Sequence, residues 1–298
     1  MIFLSTEENF LGIAEPELFA YDSSKIVIQS APYEHTSSYL QGSKLGPEEM
    51  LKASHFVEFY DEETDHEAYS KYGIATLPAM NFDGIVNADA IALIEKETLV
   101  HLNNNKFVVS FGSEHSVTYG FVKAFQQKFS LFSVLQIDAH SDLREAYHDN
   151  PYSHASVMAR VHDMGLPICQ VGIRAQCKEE SDLIKSSPLI NTWYAHQIQE
   201  NDAWMDACID KLEDKVYVTI DADGFDPSVM PAVGTAEPGG LMWHQGLRFL
   251  RKVAEKKQII GFDLVEIAPK EGEILTQFNL AKLCYKLISY ISYYNKIS

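Results

Sequence analysis

Apolar residues in this chain gather into short unbroken runs, and several runs end abruptly in acids and histidines. The runs lie at 25–30, 106–111, 132–138, 169–173, 216–221 and 258–264, with a less regular one at 189–194. They are continuous and rich in β-branched residues rather than alternating, which predicts strands covered on both faces. Longer mixed stretches with helical spacing separate them, at 88–102, 116–128, 153–164, 179–185, 202–212, 244–256 and 276–292. Strand–helix alternation of this kind predicts an α/β fold, a parallel sheet with helices on both sides. The stretch 31–75 is rich in Gly, Pro, Ser and Glu and predicts an irregular loop. No linker, low-complexity tract or repeat interrupts the pattern, so residues 1–298 read as a single domain.

The run at 132–138 carries the most information, because it leads into Asp138-Ala139-His140-Ser141-Asp142. On an extended chain, positions i, i+2 and i+4 share a face. Alternation therefore predicts that Asp138, His140 and Asp142 converge where the strand ends. Clustered carboxylates repel one another unless a cation lies among them. Three other runs end in the same way: in Gly112-Ser113-Glu114-His115-Ser116, in Asp221-Ala222-Asp223-Gly224-Phe225-Asp226-Pro227, and in Val265-Glu266. Ligands of open α/β sheets bind beyond the carboxyl ends of the strands, so one shared site is expected.

The candidate metal ligands are His115, Asp138, His140, Asp142, Asp221 and Asp223. Such a set exceeds the needs of one divalent ion. It suits two ions about 3.5–4 Å apart, bridged by carboxylates. Oxygen-rich ligation with imidazole and no thiolate favours Mn²⁺ over Zn²⁺. Asp226 before Pro227 reads as a turn former. His148, His162 and His196 lack ligand partners at useful spacing and read as surface residues.

A net charge of −18 argues against nucleic acid or an anionic membrane as partner, and is compatible with a cationic substrate. Four cysteines without C-x-x-C spacing predict reduced, cytoplasmic thiols. The opening Met-Ile-Phe-Leu has no basic flank and Glu7 and Glu8 follow, so no signal peptide is expected. No apolar run approaches membrane-spanning length.

These segments, in this order, resemble the ureohydrolases, the arginase–agmatinase family. The family pattern comprises Gly-Gly-Asp/Glu-His-Ser, Asp-Ala-His-x-Asp, Ser-His-Gly/Ala and Asp-x-Asp-x-x-Asp-Pro. Here these stand at 112–116, 138–142, 153–155 (Ser153-His154-Ala155) and 221–227, followed by a Pro-Gly-Thr-rich stretch at 231–241. The resemblance implies a three-layer α/β/α fold around an eight-stranded parallel sheet. It implies two Mn²⁺ per chain on the six ligands above, His154 as an acid/base or proton-shuttle residue, and Glu266 as the carboxylate that holds a guanidinium. It also suggests a homo-oligomer, trimer or hexamer. Ser113 departs from the family's second glycine. Serine fits if the backbone there is not left-handed, and the expectation is a slightly bent loop with metal binding kept.

The chemistry expected is hydrolysis: hydroxide shared by two metal ions attacks the guanidinium carbon. Asp142 would accept a hydrogen bond from the attacking or departing group. His154 would protonate the leaving amine, its ordinary pKa lying near working pH. Arginases carry Gly-Leu-Arg-Asp where this chain has Gly172-Ile173-Arg174-Ala175, and an Asn where this chain has Arg144. Without those polar partners the amino-acid end of arginine is poorly met. The expected substrate is therefore a small cationic guanidino compound, agmatine, cleaved to putrescine and urea. A guanidinobutyrase, with Arg144 pairing to the substrate carboxylate, or an arginase is the rival of the same class. A metal-dependent amide deacetylase shares the broader fold but leaves Glu266 without a purpose.

Overall fold

The computed structural model describes residues 2–199, 201–295 and 297. Eight strands form one sheet: β1 (Ile26–Ala31), β2 (Ile74–Thr76), β3 (Phe107–Gly112), β4 (Ser133–Ile137), β5 (Ile168–Ile173), β6 (Ile190–Tyr194), β7 (Lys215–Asp221) and β8 (Gln258–Val265). All neighbours are parallel, in the order β2-β1-β3-β8-β7-β4-β5-β6. Every strand expected from the apolar runs forms, with its ends moved by at most one residue. The eighth, β2, is a three-residue edge strand too short to leave a run of its own.

Helices cover both faces. Gly46–Ser54, Ala203–Ile209, Trp243–Lys256 and Leu275–Tyr294 pack on one side, meeting Val109, Phe111, Ile137, Val218 and Phe262. Ala88–Asn103, Val117–Lys128 and Val157–Asp163 pack on the other, meeting Val108, Val134 and Tyr217. Successive strand residues thus enter opposite cores, which is why the runs are unbroken rather than alternating. Each fully buried aliphatic side chain contributes about 1.5–3 kcal/mol. Tyr285 and Tyr290 of the last helix lie in the core, while Tyr293 is exposed.

The stretch 31–75 is less irregular than its composition predicts. It holds the helix Gly46–Ser54, started by Pro47 with Glu48 and Glu49 in the first turn and Lys52 in the last. Those choices match the helix dipole, but the surrounding Gly and Pro mask the pattern.

The strand order has one consequence for function. β3, β8, β7 and β4 stand side by side at the centre of the sheet. They are the four strands whose carboxyl ends carry the acids and histidines.

Candidate active site

Beyond β4 the chain leaves the sheet at Ile137, so strand alternation does not bring Asp138, His140 and Asp142 together. A tight loop does. Asp138 Oδ1 accepts the His140 backbone N–H at 2.6 Å. Asp142 takes a left-handed conformation, φ 53°, and its carbonyl accepts the Met158 N–H at 2.9 Å. Short polar residues are among the few that tolerate this region. Gly224 presses against the end of β4: a Cβ there would lie 2.7 Å from Asp138 N. That close approach lets Asp223 Oδ1 accept the Ala139 N–H at 3.1 Å.

The six candidate ligands meet. His115 Nδ1 is 2.9 Å from Asp138 Oδ2, 3.1 Å from Asp142 Oδ2 and 3.5 Å from Asp221 Oδ2. His140 Nδ1 is 3.1 Å from Asp223 Oδ2 and 3.7 Å from Asp138 Oδ1. Two ligand groups result, His115/Asp138/Asp142 and Asp138/His140/Asp223, sharing Asp138.

The hydrogen bonds argue for a cation. Thr219 Oγ1 donates to Asp263 Oδ1 at 2.6 Å and lies 2.9 Å from His115 Nε2. Its oxygen therefore accepts from Nε2–H, which leaves the lone pair on Nδ1. Nδ1 is buried and makes no hydrogen bond despite three carboxylates nearby. A lone pair facing carboxylate oxygens is repulsive unless a positive ion lies between them. Burial, reinforced by Asp138, pushes the Asp142 carboxyl up to about 7. Burial, Asp223 and Asp138 together raise Asp221 well above the carboxylate range. Divalent cations relieve that crowding, and the donor set fits them.

A cavity of about 210 Å³ opens over these groups. Its lining includes His140, Asp142, Asp221 and Asp223 together with His154, Glu266, Arg144 and Tyr147. Glu266, also left-handed at φ 63°, ties two strand ends together. Its Oε1 accepts the His115 N–H at 2.7 Å, and its own N–H donates to Ser113 O at 2.7 Å. Burial pushes its carboxyl up to about 8, and Glu114 adds to the effect. Ser113 is not left-handed, so a side chain is tolerated there.

His154 reaches the same cavity, but not with an ordinary pKa. Burial holds it down to about 4. The ring is neutral at working pH, so it accepts a proton before it gives one. The sequence carries no sign of this, because enclosure is a tertiary property: one neighbour, Thr36, lies 118 residues away in the chain.

A sequence model of the arginase family matches residues 24–289. The chain belongs to the arginase family. Enzymes of this family are binuclear metal hydrolases, and this member is an agmatinase-like ureohydrolase. It is 40% identical to an N(1)-aminopropylagmatine ureohydrolase of Synechocystis sp., over 97% of this chain and 95% of that protein. It is 30% identical to an agmatinase of Pyrococcus horikoshii, over 88% of this chain and 90% of that protein. The crystal structure of the agmatine ureohydrolase of Thermoplasma volcanium superposes with a TM-score of 0.82 at 28% identity, covering 98% of this chain and 96% of that one.

Within this arginase-family site, several residues lie outside every sequence motif. Thr36, Tyr39 and Leu40 come from the loop after β1; Tyr39 and Leu40 line the cavity, and Thr36 bonds His154. The signal was present, since Glu34-His35-Thr36-Ser37-Ser38 is another polar segment beyond a strand's carboxyl end. Asp263, buried inside β8, also lies outside the motifs, although a lone acid within an apolar run is itself a flag. Other readings hold. Asp226 shapes a turn, accepting from Ser228 N at 3.0 Å and Gly239 N at 2.9 Å. His148 and His196 are exposed, and His162 bonds Ser187 Oγ at 2.8 Å, away from the site. Arg174 is spent on carbonyls, among them Asp223 O and Glu237 O.

Proposed function

We propose that this enzyme hydrolyses the guanidinium group of an agmatine-type amine to urea, using two Mn²⁺ ions. The observation that carries the reading is that Glu266 shares one cavity with Asp142, Asp221 and Asp223. A planar cation that is both charged and rich in donors suits such a cavity. When bound, a divalent pair supplies an activated water and offsets developing charge. Glu266 pairs with the guanidinium and orients it. Asp142 accepts a hydrogen bond from the reacting centre. His154, neutral at rest, takes up a proton and delivers it to the leaving amine.

Of the amines, we favour N(1)-aminopropylagmatine, the substrate in the name of the Synechocystis relative. Tyr39 and Leu40, both exposed at the cavity, offer apolar surface to a polymethylene chain. Agmatine is the second reading, favoured by the match of Asp142-Leu143-Arg144-Glu145 and Ser153-His154-Ala155 to agmatinases. Steady-state kcat/KM with Mn²⁺ on both amines, arginine and guanidinobutyrate tests the reading. Both amines should exceed the two acids; a preference for arginine or guanidinobutyrate overturns it. Metal analysis should return about two Mn²⁺ per chain, whereas a single Zn²⁺ favours a deacetylase. We further propose a cytoplasmic homo-oligomer, trimer or hexamer. Its four free thiols support the compartment, and sedimentation velocity measures the assembly.

A further inference from the structure

Glu114 lies beside a candidate metal ligand, yet its carboxylate turns to the loop after β1. Its Oε2 accepts the backbone N–H groups of His35 at 2.9 Å and Thr36 at 2.6 Å. Its Oε1 accepts the Ser116 hydroxyl at 2.6 Å and lies 3.0 Å from Thr36 Oγ1. Thr36 Oγ1 in turn faces His154 twice. It accepts the His154 backbone N–H at 3.0 Å and stands 3.1 Å from the ring Nδ1.

One proton arrangement satisfies these contacts. A threonine hydroxyl has one hydrogen to give and two lone pairs. If that hydrogen pointed at Nδ1, the hydroxyl oxygen and Glu114 Oε1 would face each other as two acceptors at 3.0 Å. The hydrogen therefore goes to Glu114. One lone pair takes the His154 backbone N–H, and the other requires a hydrogen on Nδ1. His154 is thereby held as the Nδ1–H tautomer, with the lone pair on Nε2.

We propose that Thr36, anchored by Glu114, is a positioning residue that fixes the tautomer and ring orientation of His154 for proton uptake at Nε2. This rests on the role given to His154 above. The loop itself does not depend on the hydroxyl, because Glu114 holds it through two backbone N–H groups. Replacing Thr36 by the isosteric valine removes the relay and leaves those anchors.

The test is Thr36→Val and Thr36→Ser in the Mn²⁺-loaded enzyme, alone and with His154→Gln. A wrongly placed acid/base group costs about 10²-fold or more. Thr36→Val should lower kcat by about 10- to 100-fold on that scale, with KM and metal content near wild type. Thr36→Ser should restore most of the rate. With His154→Gln present, Thr36→Val should add little, since residues that act as one unit are not additive. The proposal is overturned by an unchanged kcat in Thr36→Val, by the same loss without His154, or by loss of metal. Ring ¹⁵N spectra of the Zn²⁺-loaded protein, assigned through His154→Gln, read the tautomer without turnover. Nδ1–H is expected, and Nε2–H sinks the idea. If wild type cleaves no guanidino compound, the functional reading fails while the ring spectra still decide the relay.

Discussion

Thr219 connects His115 to a buried acid: its hydroxyl lies 2.9 Å from His115 Nε2 and donates to Asp263 Oδ1 at 2.6 Å. Thr219 and Asp263 stand opposite each other in the register of β7 and β8, and Tyr217 also donates to Asp263, at 2.7 Å. The chain turns the His115 lone pair toward the carboxylates. Partners of this kind typically change metal affinity by about 10–100-fold. Thr219→Val should weaken metal binding to that extent while the fold persists, as read by metal titration against circular dichroism.

Metal removal should abolish turnover and lower stability together. Stripped of cations, Asp138, Asp142, Asp221 and Asp223 crowd one another in a buried site. An ion held at 100 times its Kd stabilises the native state by about 2.7 kcal/mol. Thermal unfolding with chelator, then with Mn²⁺ restored, measures the loss and its recovery.

A guanidinium beside Glu266 favours its ionised form, and Glu266→Gln keeps an oxygen for the His115 N–H while removing that charge. Turnover of either amine should fall by about 10²–10³-fold, the scale of a lost electrostatic contact to the reacting group. Metal content should stay near two ions. A variant that keeps its kcat/KM rules out guanidinium binding at Glu266.

Arg144 lies over the Tyr147 ring, 5.5 Å from its centroid, at the cavity wall. A positive group there does not help a cationic substrate. Arg144→Ala should leave amine turnover unchanged or raise it by up to about tenfold, a 1.4 kcal/mol effect. Selective loss of guanidinobutyrate turnover would instead identify Arg144 as the anchor of an acid substrate.

His101 should make the fold acid-sensitive. It is buried with Nδ1 3.0 Å from the Tyr21 hydroxyl, and burial, then Lys106, lowers its pKa to about 4. An unfolded histidine titrates near pH ~6.5. Between these values the unfolded chain binds the extra proton, so stability rises with pH. The contribution is complete above about pH 6.5 and is lost as pH falls toward 4. Urea midpoints at pH 7 and 5 should drop further for wild type than for His101→Gln.

Much of this enzyme is legible in one dimension. Unbroken apolar runs announce a parallel sheet because both faces of each strand are buried. Acids and histidines at the ends of those runs mark the site, because polar groups collect where a strand leaves the core. Asp138, His140 and Asp142 do come together, but a loop with Asp142 left-handed, rather than strand alternation, gathers them.

What the chain alone could not decide is adjacency. Residue types and spacing name the candidate ligands, but only the strand order makes β3, β8, β7 and β4 neighbours, brings Asp142, Asp221 and Glu266 to one cavity and buries His115 against Asp142 and Asp221. Burial and tautomer are likewise tertiary. Thr36 meets His154 from 118 residues away and Asp263 orients His115 through Thr219. Both depend on which polar groups are enclosed together, a property of the packed sheet and its loops.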